Sequence, residues 1–229
     1  MAFCTIVMAV YEPDQDFLFE QLTSIANQDH KDFAVCVVLA DASSKNDLTN
    51  LCRNFDFTVS IVDAGKKLDP THAFEFALSS ALERWPDCNY FALSDQDDIW
   101  EANRLSQGLR KLEQDKTSLA HSDATGIYRD GNMIFPSLFQ LEHRQKTLWK
   151  NDLLYRNTVT AMTCIFTRVT AQNALPFPQQ DGQHFHHDLW LALVAQRLDG
   201  ISFIDMPLVQ YRQHDNNVIG AAPEKEALS

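Results

Sequence analysis

The sequence predicts an α/β domain with a mostly parallel central sheet flanked by helices, and three observations carry that expectation. Short, wholly apolar runs alternate with segments of helical spacing through the first 95 residues. Such runs fit strands buried on both faces, as in a parallel sheet covered by helices. Polar clusters follow the runs at 11–14, 41–44 and 95–98, and ligands sit beyond the carboxyl ends of the strands in sheets of this kind.

The elements follow in order. Residues 3–10 (FCTIVMAV) form the first expected strand, and Tyr11-Glu12-Pro13-Asp14 a turn. Over 14–28 the apolar residues Phe17, Leu18, Leu22, Ile25 and Ala26 recur at helical spacing. Residues 33–39 (FAVCVVL) are the second strand, and Asp41-Ala42-Ser43-Ser44 is a polar turn that caps a helix over 45–54. The third strand covers 57–62. Phe74, Ala77, Leu78, Ala81 and Leu82 share a helical face that runs to Trp85, where Pro86 stops it. Residues 90–93 are the fourth strand. This alternation argues for a doubly wound domain. Beyond residue 100 the rhythm changes. A helix is expected over 101–115, then a hairpin of 119–128 and 133–135 around Arg129-Asp130-Gly131-Asn132. An irregular helical stretch follows over 137–158, then a strand over 161–167 and a loop over 176–182. An apolar helix over 186–198 and short strands at 201–204 and 208–211 complete the domain, with 221–229 a flexible tail.

Composition narrows the function. The 229 residues suit one domain with a substantial core, and 45% hydrophobic residues with 15 Phe are globular usage. A net charge of −12 without a Lys or Arg run argues against nucleic acid as a partner. It leaves room for a nucleoside diphosphate screened by a divalent cation. Cys4, Cys36, Cys52, Cys88 and Cys164 are odd in number and widely spaced, and they read as buried free thiols in a reducing compartment. No apolar stretch approaches the ~18 residues of a membrane helix, and the N-terminus lacks the features of a signal peptide. The expected location is cytoplasmic, with peripheral association at the inner face of the membrane left open.

Three constellations carry chemistry. Asp95-Gln96-Asp97-Asp98 puts three carboxylates in four residues directly after a buried strand. Such crowding fits Mg²⁺ or Mn²⁺, which bind through one or two carboxylates plus substrate phosphates. A solvated turn with Asp98 capping the next helix is the alternative. His186-His187-Asp188 heads the apolar helix, and Asp188 fits either a general base or a carboxylate favoured by the helix dipole. His184, His186 and His187 are too tightly spaced for an ordinary zinc site. Tyr211-Arg212-Gln213-His214 offers Arg212 to phosphates and His214 to a metal, or is an ordinary polar loop. The glycine signatures of P-loops, dinucleotide-binding folds and α/β-hydrolases are missing.

In sequence, these stretches resemble the family 2 glycosyltransferases of GT-A fold, especially the rhamnosyltransferase-like branch of bacterial polysaccharide assembly. The residues that carry it are 5–11 (TIVMAVY), Gln21-Leu22-x-Ser24-Ile25-x-x-Gln28, 41–44, 93–100 (LSDQDDIW), His121-Ser122-Asp123, 187–195 (HDLWLALVA) and 211–214. The resemblance implies a single GT-A domain over 1–220, with a nucleotide-binding half (1–98) and an acceptor-binding half (99–220). It implies donor contacts from Asp41, Tyr11, Asp95 and Arg212. Asp95 and Asp97 would form the metal-binding pair of a DXD motif, with His214 near the metal or diphosphate, and Asp188 the catalytic base. The expected reaction is an inverting transfer from a UDP- or dTDP-sugar to a hydroxyl of a saccharide or lipid-linked saccharide. Ala40, Ala73, Ala161 and Asp215 depart from the family pattern and leave donor and acceptor identity open. They also favour the alternative of a non-catalytic sugar-nucleotide-binding subunit. A metal-dependent nucleotidyltransferase is the other alternative, and it would need a Gly-rich basic loop where Tyr11-Glu12-Pro13-Asp14 stands.

Overall fold

The computed structural model describes residues 3–40, 45–147, 151–178 and 186–213. Its first half is β1 (Cys4–Val10), α1 (Gln15–Ala26), β2 (Phe33–Leu39), α2 (Lys45–Cys52), β3 (Thr58–Asp63), α3 (Pro70–Arg84) and β4 (Tyr90–Ser94). The second half is β5 (Ile99–Trp100), α4 (Arg104–Asp115), β6 (Leu119–Ile127), β7 (Met133–Phe135), α5 (Leu138–Leu141), β8 (Ile165–Thr167), α6 (Arg168–Ala174), α7 (His187–Arg197) and β9 (Ile201–Arg212).

One sheet runs through both halves in the order β3-β2-β1-β4-β8-β6-β9-β5, with β7 paired to β6. The long ladders, β3–β2, β2–β1, β1–β4 and β6–β9, are parallel. The antiparallel ladders at β8, β5 and β7 are two or three residues long. The chain turns outward in opposite directions from β1, to β2 on one side and β4 on the other, which is the switch point where a crevice opens. The register Met8↔Ser94 brings the residues after both strands side by side at that crevice.

β1 shows why these sequences make strands. Ile6, Met8 and Val10 face the cluster formed with Leu18, Leu22 and Ile25 of α1 and Leu105, Leu109 and Leu112 of α4. Val7 faces the opposite cluster, with Phe74, Ala77 and Leu78 of α3 and Leu191 and Ala192 of α7. Both faces of the strand are therefore covered, and the unbroken apolar run follows. Asp14 caps α1 by accepting the N–H groups of Asp16 (3.1 Å) and Phe17 (3.4 Å). Asp69 caps α3, with Pro70 in the first turn. All five cysteines are buried free thiols, and burial raises the pKa of each.

The second half departs from expectation in five places. Residues 161–167 divide into a 3₁₀ turn (Ala161–Thr163) and the short β8. The stretch 137–158 is helical only at α5 and at a 3₁₀ turn, Asp152–Leu154, among its described residues. α6 and the two-residue β5 were not expected. The separate strands at 201–204 and 208–211 are one strand, β9. Its pairing with β6 shifts register on either side of Asp123, which lies opposite Pro207, so the proline sits at a bulge and the strand continues past it.

Candidate active site

The acidic loop is built by its neighbours. Gln96 is tied to the end of β1 through both halves of its amide: Oε1 accepts from the Tyr11 N–H (2.9 Å), and Nε2 donates to the Tyr11 carbonyl (3.1 Å). Beneath the loop runs a buried polar stripe, from Gln21 and Ser24 of α1 and Gln28 just past its C-terminal end. With its amide set to satisfy all its neighbours, Gln21 donates to Ser24 Oγ (3.1 Å) and the Asp98 carbonyl (2.6 Å), and accepts from Trp100 Nε1 (3.0 Å) and Ser94 Oγ (2.7 Å). Ser24 Oγ accepts the Trp100 N–H (3.0 Å). Gln28 donates to the Glu101 carbonyl (2.8 Å) and accepts the Leu105 N–H (3.0 Å).

The three acids differ in depth. Asp95 and Asp97 are half-buried, whereas Asp98 is wholly buried. Asp98 Oδ1 accepts the Arg212 N–H (3.1 Å), and Oδ2 is buried with no hydrogen-bond partner. This corrects the reading of Asp98 as a helix cap: β5 follows it, and α4 begins only after Asn103. Burial first, and then the like charges of Asp97 and Asp188, push Asp95 up to about 7 against the opposing charge of Arg104. Asp98 is also raised, first by burial and then by Asp97 and Asp95.

Asp188 stands in the first turn of α7. Its charge acts on both Asp95 and Cys164, so the model brings Asp95, Asp97 and Asp188 into one electrostatic neighbourhood. His187 turns the other way. Its ring stacks on Phe74 (4.3 Å between centroids), both nitrogens are buried without a partner, and burial lowers its pKa. His186 is exposed. Tyr11 lies at the crevice, its hydroxyl 2.5 Å from Lys67 Nζ, whose charge also sits over the ring at 4.5 Å. Asp41, His184 and His214 lie outside the described residues.

Arg212 is buried and held by protein groups. Its Nε donates to the Asp97 carbonyl (2.9 Å), Nη1 to the Arg129 carbonyl (3.0 Å), and Nη2 pairs with Glu20. Its guanidinium also covers the Phe17 ring (4.2 Å). In this conformation Arg212 braces the backbone of the acidic loop. Asp123, from the His121-Ser122-Asp123 stretch, is likewise structural. It accepts the N–H groups of Ala124 (2.7 Å) and Phe139 (3.1 Å) and the Ser137 hydroxyl.

Among the described residues no three metal-ligating side chains cluster as a closed cage. The Asp95–Asp97 pair still fits Mg²⁺ or Mn²⁺, hard ions that complete their shells with phosphate and water. Burial is the larger cause of the raised Asp95 pKa, and the repulsion from Asp97 and Asp188 that adds to it is what a cation would relieve. Gln21, Ser24, Gln28, Gln96 and Arg104 were not read as site-forming. Polar residues at i and i+3 within the apolar face of α1 were the available signal for Gln21 and Ser24.

The family model described as glycosyl transferase family 2 matches residues 5–174. The dTDP-rhamnosyl transferase RfbG of Shigella flexneri is 23% identical over 223 residues, covering 93% of this chain and 74% of that protein. An uncharacterised glycosyltransferase of Methanocaldococcus jannaschii is 23% identical over 214 residues, covering 91% and 70%. The structure of S. aureus TarS 1–349 in complex with UDP-GlcNAc superposes with a TM-score of 0.72 at 17% identity, over 95% of this chain and 60% of that one. Its complex with UDP gives 0.70 at 16%. The chain thus spans about 60% of the TarS chain it matches. The architecture is the GT-A type, as the sequence led one to expect, and no helix among the described residues is long and apolar enough to cross a membrane. The chain belongs to glycosyl transferase family 2.

Proposed function

We propose that this chain is an inverting, metal-dependent glycosyltransferase. Its donor is a UDP- or dTDP-sugar, and its acceptor a hydroxyl of a saccharide or lipid-linked saccharide in bacterial surface polysaccharide assembly. The observation that carries the reading is that Asp188, at the head of α7, lies close enough for its charge to act on Asp95 at the end of β4, beside Asp97. That arrangement separates a proton acceptor from a diphosphate-holding pair on two different elements, as a single displacement requires. The donor name of RfbG and the UDP-GlcNAc bound by TarS support a nucleotide-sugar donor. Residues 1–98 are read as the donor half and 99–220 as the acceptor half.

In this reading Tyr11 and Asp41 border the nucleotide, and Asp95 and Asp97 hold the divalent ion, with His214 beside it. Arg212 keeps the Asp97 peptide in place and, where a phosphate reaches it, adds positive charge. Asp188 accepts the proton of the acceptor hydroxyl as that oxygen bonds to the anomeric carbon and the bond to the diphosphate breaks. The ion, when bound, offsets the charge on the departing diphosphate.

The test is donor hydrolysis and transfer over a panel of nucleotide sugars, with and without Mn²⁺, for wild type and Asp188→Asn. The expected result is one preferred donor, UDP or dTDP binding strengthened by Mn²⁺, and loss of transfer in Asp188→Asn by roughly 10³-fold with donor affinity intact. Calorimetry showing no nucleotide binding with either Mn²⁺ or Mg²⁺ would sink the proposal. Consumption of a nucleoside triphosphate would favour a nucleotidyltransferase instead.

A further inference from the structure

Arg104 opens α4, yet its side chain is only 1% exposed. Nη2 donates to three carbonyls: Leu93 (3.1 Å), Met162 (2.6 Å) and Cys164 (3.3 Å). The guanidinium lies over the Trp100 ring, 3.5 Å from its centroid. Nε and Nη1 are buried and meet no hydrogen-bond partner. A buried cation with unsatisfied N–H groups is costly unless negative charge lies near. Burial draws the Arg104 pKa down to about 9, and the neighbouring Cys164, Cys4, Asp98 and Asp95 oppose it.

The three carbonyls belong to the two walls of the candidate site. Leu93 is two residues before Asp95, on β4. Met162 lies within the turn Ala161–Thr163 and Cys164 directly follows it, in the half read as acceptor-binding. The Leu93 N–H also donates to the Cys164 carbonyl, at 3.3 Å, where the short β4–β8 ladder ends.

We propose that Arg104 is a positioning residue: it clamps the end of β4, and with it the acidic loop, against the 161–164 wall, so that the carboxylate pair and the acceptor side keep one spacing. The inference rests on the proposed function for what the spacing serves. It does not rest on it for the clamp itself. Arg104 touches neither donor nor acceptor. It acts through the peptides on which the carboxylates and the wall are mounted, and Trp100 supplies the platform that orients its plane.

The experiment compares wild type, Arg104→Lys and Arg104→Met by Mn²⁺ affinity from electron paramagnetic resonance, UDP affinity in EDTA, and thermal unfolding without metal. Supporting side chains behind metal ligands typically change metal affinity by roughly 10–100-fold. Arg104→Met is therefore expected to weaken Mn²⁺ at least tenfold, with Arg104→Lys recovering part of the loss. Three results would overturn the proposal. One is a lower melting temperature with Mn²⁺ affinity unchanged, the mark of a merely structural arginine. Another is tighter Mn²⁺ binding in Arg104→Met, the mark of a buried charge that repels the ion without positioning anything. The third is a lysine variant no better than methionine. If wild type binds no Mn²⁺, the metal reading fails and UDP affinity in EDTA decides the clamp: about tenfold weaker in Arg104→Met supports it, and no change overturns it. Should Arg104→Met not fold, Trp100→Leu keeps the charge and removes the platform, and a weakening in the same direction is expected.

Discussion

At the scale of the residue, Asp95 is the most constrained side chain of the site. Burial and two like charges favour its protonated form, and its pKa lies near 7. The sign of the pH effect follows. Its contribution to metal-free stability is full below about 4 and is lost as pH rises through about 7. An ion bound there has the opposite dependence, because below about 7 it must displace a proton. Mn²⁺ affinity is therefore expected to fall by about tenfold per pH unit below 7 and to level off above it, with proton release detectable by calorimetry in buffers of different ionisation heat. A flat profile in the wild-type protein would remove Asp95 from the ligand set. The places of Asp95, Asp97 and Asp188, after β4 and at the head of α7, were legible because carboxylates crowded after a strand or heading an apolar helix are conspicuous. The depth of Asp98 was not legible. Sequence neighbours share a spacing but not an environment, and only the return of β9 at Arg212 covers that carboxylate.

At the scale of the element, long and doubly covered segments were the readable ones. β2 carries seven buried residues in a row, and no other secondary structure suits that run so well between a helix and a turn. α6, seven residues long, and β5, two residues long, have too few positions to show a period. β9 looked broken because Pro207 normally ends pairing, and the extra residues that β9 carries opposite Ser122–Ala124 show only when it is paired with β6. β6 and β7 meet at a close approach that can be tested. A Cβ on Gly126 would lie 2.3 Å from two atoms of the Phe135 ring, and that ring is buried and rigid. Gly126→Ala is expected to destabilise by about 1–3 kcal/mol through overpacking. Combining it with Phe135→Leu should recover part of the loss in urea unfolding. Equal stability of Gly126→Ala and wild type would mean that the ring does not sit over this glycine.

At the scale of the whole molecule, acid stability depends on a group far from the carboxylates. His121 on β6 is buried against Phe139 and Phe203, and burial, aided by the charge of Arg144, lowers its pKa to about 3. Its stabilising contribution is full above the unfolded value of about 6.5 and is lost as pH falls towards 3. Between pH 7 and pH 4 the wild-type protein is expected to lose on the order of 3 kcal/mol more stability than His121→Leu, measured by urea unfolding at both values. An equal loss would show that the imidazole takes up its proton while folded. The alternation of strand and helix revealed the first half of the molecule, and the mixed second half emerged only with the sheet, since antiparallel ladders of two or three residues leave no pattern in the chain. Gln96, finally, ties this end of the sheet together by offering Tyr11 both a donor and an acceptor, as a peptide group would. Glutamate lacks the donor, methionine lacks both groups, and asparagine is one methylene shorter. Glutamine at residue 96 thus extends the β1–β4 seam beyond the strands' last backbone pairing, as one more rung made from a side chain.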